Sequence, residues 1–178
     1  MNKHFKVLFY EIVVRWPNTK FGLFLRKKYY NAKLKTKFCH IGKGCEIDRI
    51  EATHIENNVA LGDNVKLVIS GMAKCFIGKN VAIADGVYLR SANHKFSDIN
   101  IDIIYQGHTW NRVLYNNIEY GIVIEKNVWI GARAIILSGA HIGEGSVIGA
   151  GTIVSNKIIP PFSIVVGNPA RIIGNRKN

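Results

Sequence analysis

Branched aliphatic residues recur along the C-terminal half of this chain at intervals of six. Ile124, Ile130, Ile136, Ile142, Ile148, Val154, Pro160, Val166 and Ile172 follow one another at that spacing, and eight of the nine are Ile or Val. Glycine comes next at Gly131, Gly143, Gly149 and Gly167. A small residue often stands four positions after each start, as at Ala134, Ala140, Ser146 and Thr152. A period of six is neither helical nor a plain strand alternation. It fits a chain that turns a corner every six residues, three sides making one coil of a prism. One aliphatic per side then points inward and stacks on its equivalent about 4.8 Å away, the spacing of neighbouring strands. Branched side chains suit such a pleated wall. Glycines are expected at corners where other residues would be strained. The pattern predicts a register that runs without a slip through residue 172.

The repeat continues upstream in shorter pieces: Ile41 with Ile47, Leu61 with Leu67, and Ile77 with Ile83 and Leu89. The breaks between these pieces predict small corner insertions. Between Leu89 and Ile124 the pattern vanishes, and a long excursion of that kind in a compact domain is usually functional or disordered. Tyr105, Trp110, Tyr115 and Tyr120 within it predict an ordered, packed loop. The expected organisation is a basic arm over 1–37, a β-helix over 38–173 with its loop at 90–122, and a short basic tail over 174–178.

Charge changes the picture at the N-terminus. The 178-residue chain has a net charge of +12, and residues 1–37 hold ten Lys or Arg against the single acid Glu11. Phe5, Leu8, Phe9, Ile12, Val13 and Trp16 mark one helical face, which Pro17 ends. A second stretch over 21–30 carries Arg26, Lys27 and Lys28. Aromatics beside clustered bases fit a helix on a membrane surface, and a helix that caps the open prism fits as well. No nucleic-acid-binding motif accompanies the charge, so nucleic acid is not expected as a partner. No run is long enough to span a bilayer. Lys6, Glu11 and Arg15 interrupt what would otherwise suggest a secretory signal. Cys39, Cys45 and Cys75 lack metal or disulfide spacing and read as buried thiols. The expected location is the cytoplasm, with the arm able to touch the inner face of the membrane.

More specific stretches accompany the repeat. They are Ile77-Gly78-Lys79-Asn80-Val81-Ala82-Ile83, Ser91-Ala92-Asn93-His94 and Val128-Trp129-Ile130-Gly131-Ala132. Val147-Ile148-Gly149-Ala150-Gly151-Thr152, Ile159-Pro160-Pro161 and Gly167-Asn168-Pro169-Ala170-Arg171 follow. Over residues 41–172, and most closely over 77–173, the sequence resembles the hexapeptide-repeat acyltransferases, in particular their sugar O-acetyltransferase branch. That resemblance implies an all-β fold, a left-handed parallel β-helix, with the helical arm and the loop added to it. The hand rests on the resemblance alone, because parallel crossovers are nearly always right-handed. It also implies a homotrimer that uses acetyl-CoA as co-substrate and no metal. The co-substrate would lie between neighbouring prisms, under the loop of one subunit. The implied reaction is acetyl transfer to a sugar hydroxyl, on a glycan of surface polysaccharide or lipopolysaccharide assembly.

His94 opens the loop and matches the family's catalytic histidine. An imidazole with a pKa near about 6.5 can take a proton from a hydroxyl that attacks a thioester. Its other ring nitrogen needs an acceptor to fix the tautomer, for which Glu125, Asp98 and Asp102 are open candidates. The attack creates an oxyanion that needs donors, and the resemblance places the N–H of Ala132 there. Asn64 aligns with an asparagine that stabilises the transition state. An acidic acceptor contact of the galactoside branch falls at Met72, which implies a different acceptor. Trp129, Ala150, Ser155 and Arg171 match positions along the CoA groove. A second family arginine falls at Gly174, with Arg176 and Lys177 as substitutes nearby. Rival readings are N-acetylation of an amino sugar, O-acetylation of an antibiotic, and a non-catalytic trimeric scaffold. A zinc-binding prism needs three histidines, which the spacing does not offer.

Overall fold

The computed structural model describes residues 3–177 and shows a three-sided prism of short parallel strands. Face A stacks Ile41, Leu61, Ile83, Ile130, Ile148 and Val165. Face B stacks Ile47, Leu67, Leu89, Ile136 and Val154. Face C stacks Ile55, Ile77, Ile124, Ile142 and Ile159. None of these side chains is more than 5% exposed, and burying each is worth about 1.5–3 kcal/mol.

Coil length varies, and it varies at one edge. Ile130 pairs with Ile148, eighteen residues on. Ile41 pairs with Leu61, Leu61 with Ile83 and Ile83 with Ile130, at separations of 20, 22 and 47. The steps from Ile41 to Ile47 and from Ile55 to Leu61 keep the period of six. The steps from Ile47 to Ile55, Leu67 to Ile77 and Leu89 to Ile124 absorb all the extra residues. Each of these crosses from face B to face C, so the three insertions stack on a single edge.

The register slips in the fifth coil, against expectation. Ile142 pairs with Ile159 and Ile148 with Val165, while Pro160 and Val166 are exposed. A proline has no N–H for the strand ladder, so it takes the corner and the inward slot goes to Ile159. Ile172 does not enter the core either. Arg171–Asn175 folds back antiparallel on Ser163–Val166 and closes this end of face A. That strand runs past the boundary at 173 expected for the tail.

Of the repeat glycines Gly167 takes a left-handed φ of 94°, as expected, and the others serve a different need. Gly131 has no left-handed φ; instead, a Cβ there would lie 2.6 Å from the backbone nitrogen of Ala150 on the next coil. The left-handed corners are shared between glycines such as Gly86 and Gly151, at φ 68° and 67°, and asparagines such as Asn80 and Asn127, at φ 60° and 59°. Asparagine tolerates that conformation better than other residues with a Cβ.

The arm forms α1 (Lys3–Arg15) and α2 (Lys20–Leu34). Residues 1, 2 and 178, and the side chains of Lys3, Phe5 and Lys6, lie outside the described residues. Thr19 caps α2 by accepting from Gly22 N at 3.0 Å. The helix packs on the first coil through Tyr30, whose hydroxyl donates to the Cys45 carbonyl at 2.8 Å. Arg26, expected among the surface bases, is fully buried. Its Nε donates to Ile41 O at 2.9 Å, one terminal nitrogen to Trp16 O at 2.6 Å and the other to Asn18 Oδ1 at 2.9 Å. Cys39 is exposed rather than buried. Burial pushes the Cys45 and Cys75 thiols up to about 12.

Candidate active site

The longest insertion carries His94. After face B the chain forms Asn93–His94, which pairs antiparallel with His108–Thr109 so that the two histidines stand opposite each other. Their ring centroids are 4.6 Å apart. A two-residue turn at Asn116 and Asn117, both at left-handed φ, then joins the strands of a hairpin. Tyr115 and Tyr120 of this hairpin pack on Phe76 of face C at 5.0 and 5.8 Å. The loop is therefore ordered by its second half. Tyr105, expected to pack, is 79% exposed.

None of the three candidate carboxylates hydrogen-bonds His94. Glu125 holds His141 Nε2 at 2.7 Å and accepts from Glu144 N at 3.0 Å. Asp98 accepts from Asn100 N at 2.9 Å. The neighbour of His94 is instead His108.

The stacked insertions wall a cleft of about 310 Å³, lined by Asp48, Arg49, Ser70, Met72, Arg90 and His108. The Arg90 guanidinium is held from behind, with Nε on Ala92 O at 3.0 Å and Nη1 on the Tyr88 hydroxyl at 3.3 Å. Asp48 accepts from Ile69 N at 2.7 Å, and Arg49 faces Glu51 at 3.6 Å. Sequence reasoning reached Met72 and missed Asp48, Arg49, Ser70 and Arg90. Their trace in the sequence was the uneven spacing between aliphatic pairs, and that the insertions share one edge appears only once the coils stack.

The other candidates lie elsewhere. Trp129 projects from face A and is 55% exposed. Its row continues to Ala82 and Ala60 on one side and Val147 on the other, an uncharged strip. Ala132 follows at the A–B edge, and Ala150 sits one coil further, where Gly151 N donates to Ala132 O at 2.9 Å. Asn64 is on that edge in the second coil, at φ 57°. Arg171 is exposed opposite Val166 on face A. Ser155 is exposed at the B–C edge, after Val154. One chain thus gathers Trp129, Ala132, Ala150 and Arg171 along face A, and sets His94 and Ser155 across face B. Arg176 is no free substitute for the missing arginine, since it donates to Gly145 O at 2.5 Å. Lys177 lies 4.1 Å from the Phe162 ring. Among the described residues no three metal-ligating side chains cluster, and no helix is long and apolar enough to cross a membrane.

Comparison with known proteins agrees with this architecture. Residues 121–156 match the family model for the bacterial transferase hexapeptide, six repeats. A galactoside O-acetyltransferase of Lactococcus lactis subsp. lactis is 33% identical over 144 residues, which are 78% of this chain and 64% of that one. A maltose O-acetyltransferase from Clostridium difficile 630 superposes with a TM-score of 0.73 at 26% identity, covering 97% of this chain and 85% of the other. A galactoside acetyltransferase in complex with coenzyme A gives a TM-score of 0.66 at 26% identity, covering 96% and 78%. The chain spans about half to two thirds of the length of the curated relatives it matches. These likenesses define the fold class, a left-handed parallel β-helix. The chain belongs to the hexapeptide-repeat acyltransferase family.

Proposed function

We propose that the protein transfers an acetyl group from acetyl-CoA to a sugar hydroxyl, in surface polysaccharide or lipopolysaccharide assembly. The observation that carries this reading is the pairing of His94 with His108, which lines a polar cleft built from every insertion in the prism. The acceptor hydroxyl lies in the cleft and gives its proton to the His94 imidazole as its oxygen bonds to the thioester carbonyl carbon. The resulting oxyanion is met by the N–H of Ala132, with Asn64 as a further donor. Collapse breaks the carbon–sulfur bond, and the departing thiolate takes the proton back from His94. No acyl-enzyme forms. Trp129, Ala150, Ser155 and Arg171 line the path of CoA.

A homotrimer supports this geometry. His94 and the Trp129 strip lie on different edges of one chain, so a second chain supplies the missing wall. Phe96, Ile99, Ile104 and Tyr105 on the loop are 73%, 95%, 73% and 79% exposed, and a neighbouring prism gives them cover. The acceptor differs from that of the galactoside branch. Met72 replaces an acid there, and Arg49 and Arg90 bring positive charge.

Thiol release from acetyl-CoA, measured with a panel of sugars and envelope glycans, tests the proposal. Acceptor-dependent release should fall by about 10²–10⁴-fold in His94→Ala. Equal release by both proteins would remove His94 as the base. Transfer to amino sugars alone would favour the N-acetyltransferase reading. Sedimentation as a monomer would remove the shared site.

A further inference from the structure

The arm presents an apolar face away from the prism. α1 docks by Val13 and Val14, which are 1% and 2% exposed, and by its Val14 carbonyl, which accepts from Gly44 N at 2.8 Å. Most of the stripe that marks the helix as amphipathic points elsewhere. Leu8, Phe9, Ile12 and Trp16 recur one helical face apart and are 58%, 44%, 45% and 37% exposed. Phe21 and Phe24 of α2, at 55% and 56%, extend it. Trp16 meets Phe21 at 5.6 Å and Phe9 meets Tyr29 at 6.5 Å, so the two helices form one surface. A helix whose only task was to cap the prism would turn this stripe inward.

The rim of that surface is cationic. Lys20, Leu23, Phe24, Lys27, Lys28 and Asn31 line a shallow groove on α2, and Lys28 Nζ lies 6.0 Å from the Phe24 ring. The single acid of the arm, Glu11, is already engaged by Arg15 at 2.7 Å. A second copy on this face would bring like charges together. Nucleic acid would satisfy the lysines and leave the aliphatic stripe in water. An anionic bilayer satisfies both, with apolar side chains at the acyl boundary and lysines at the headgroups.

We infer that the paired helices of the arm form a peripheral binding face for membranes rich in anionic lipid. The face keeps the prism at the surface where a lipid-carried acceptor would be presented. The binding itself does not rest on the acetyl-transfer reading, and it is measured separately.

The test is co-sedimentation of the full chain with vesicles of phosphatidylcholine alone and of phosphatidylcholine with phosphatidylglycerol. Two variants accompany it. Leu8→Gln with Ile12→Gln removes part of the stripe at exposed positions. Lys20→Glu with Lys28→Glu reverses charge, and an acid at position 20 suits the N-terminus of α2. The wild type should bind the anionic vesicles, release from them with added salt, and leave the neutral ones in solution. Each variant should bind them about tenfold or more weakly, with an unchanged thermal unfolding midpoint. No sedimentation with either vesicle would overturn the inference, and so would equal binding to both with no effect of the lysine changes. Tight binding to duplex DNA without vesicle binding would replace the bilayer by a polyanion. A higher oligomer that dissociates only in the Leu8/Ile12 variant, without vesicle binding, would assign the face to a second copy.

Discussion

Asn64 has two physical reasons to be asparagine. It holds a left-handed corner at φ 57°, as other corner asparagines do, and it is the proposed second donor to the oxyanion. Asn64→Gly separates them, because glycine adopts that φ without cost. The variant should keep its stability and lose about a hundredfold in turnover. Unchanged turnover would leave Asn64 a corner residue only. Arg26 is the residue on which the arm depends. Its three donors satisfy two carbonyls and Asn18, and Asn18 in turn donates to both Asp63 oxygens at 2.8 Å. Arg26→Ala strands the buried Ile41 carbonyl and unties two part-buried acceptors, and should cost about 1–3 kcal/mol in denaturant unfolding.

At the scale of the element, the slip in the fifth coil makes a sharp distinction between neighbours. Ile159 is 1% exposed and Ile158 is 71% exposed. Ile159→Ala should lower stability by about 2–5 kcal/mol through lost burial and a residual cavity. Ile158→Ala should change it by about 0.5 kcal/mol or less. An unslipped repeat would bury Pro160 and spare Ile159, so equal effects from the two changes would rule out the observed register. The loop divides in the same way. Its hairpin is tied to face C by Phe76, Tyr115 and Tyr120, whereas the segment from Phe96 to Tyr105 leaves its apolar side chains exposed.

At the scale of the whole molecule, the prism interior keeps two thiols protonated. Cys45 and Cys75 are pushed from 9.0 up to about 12 by burial. Above about pH 9 the unfolded chain gives up these protons and the folded one keeps them, which draws the equilibrium toward unfolding. Their contribution is complete below about pH 9 and is lost as the pH rises toward 12, at about 1.4 kcal/mol per unit for each thiol. Urea midpoints should therefore fall through the alkaline range, and the fall should lessen in Cys75→Ala. A disulfide reagent should titrate only Cys39 in the native protein. Rapid reaction of all three thiols would contradict the burial.

The sequence alone determined the prism, because one inward aliphatic per side leaves a periodic trace that no helix or simple strand leaves. His94 was marked by the resemblance of Ser91-Ala92-Asn93-His94 to the family's stretch, and its place at the root of the one long break fits that reading. The sequence could not show that every change in coil length falls on the B–C edge. That coincidence exists only when the coils are stacked, and it is what creates the cleft. The slip at Pro160 was hidden because Ile158, Ile159, Val165 and Val166 offer a branched aliphatic in either register, and only stacking on Ile142 and Ile148 selects between them. The arm was ambiguous for a related reason. Its pattern defines an apolar stripe but not the direction in which it faces. Docking through Val13, Val14, Arg26 and Tyr30 turned most of that stripe to the outside.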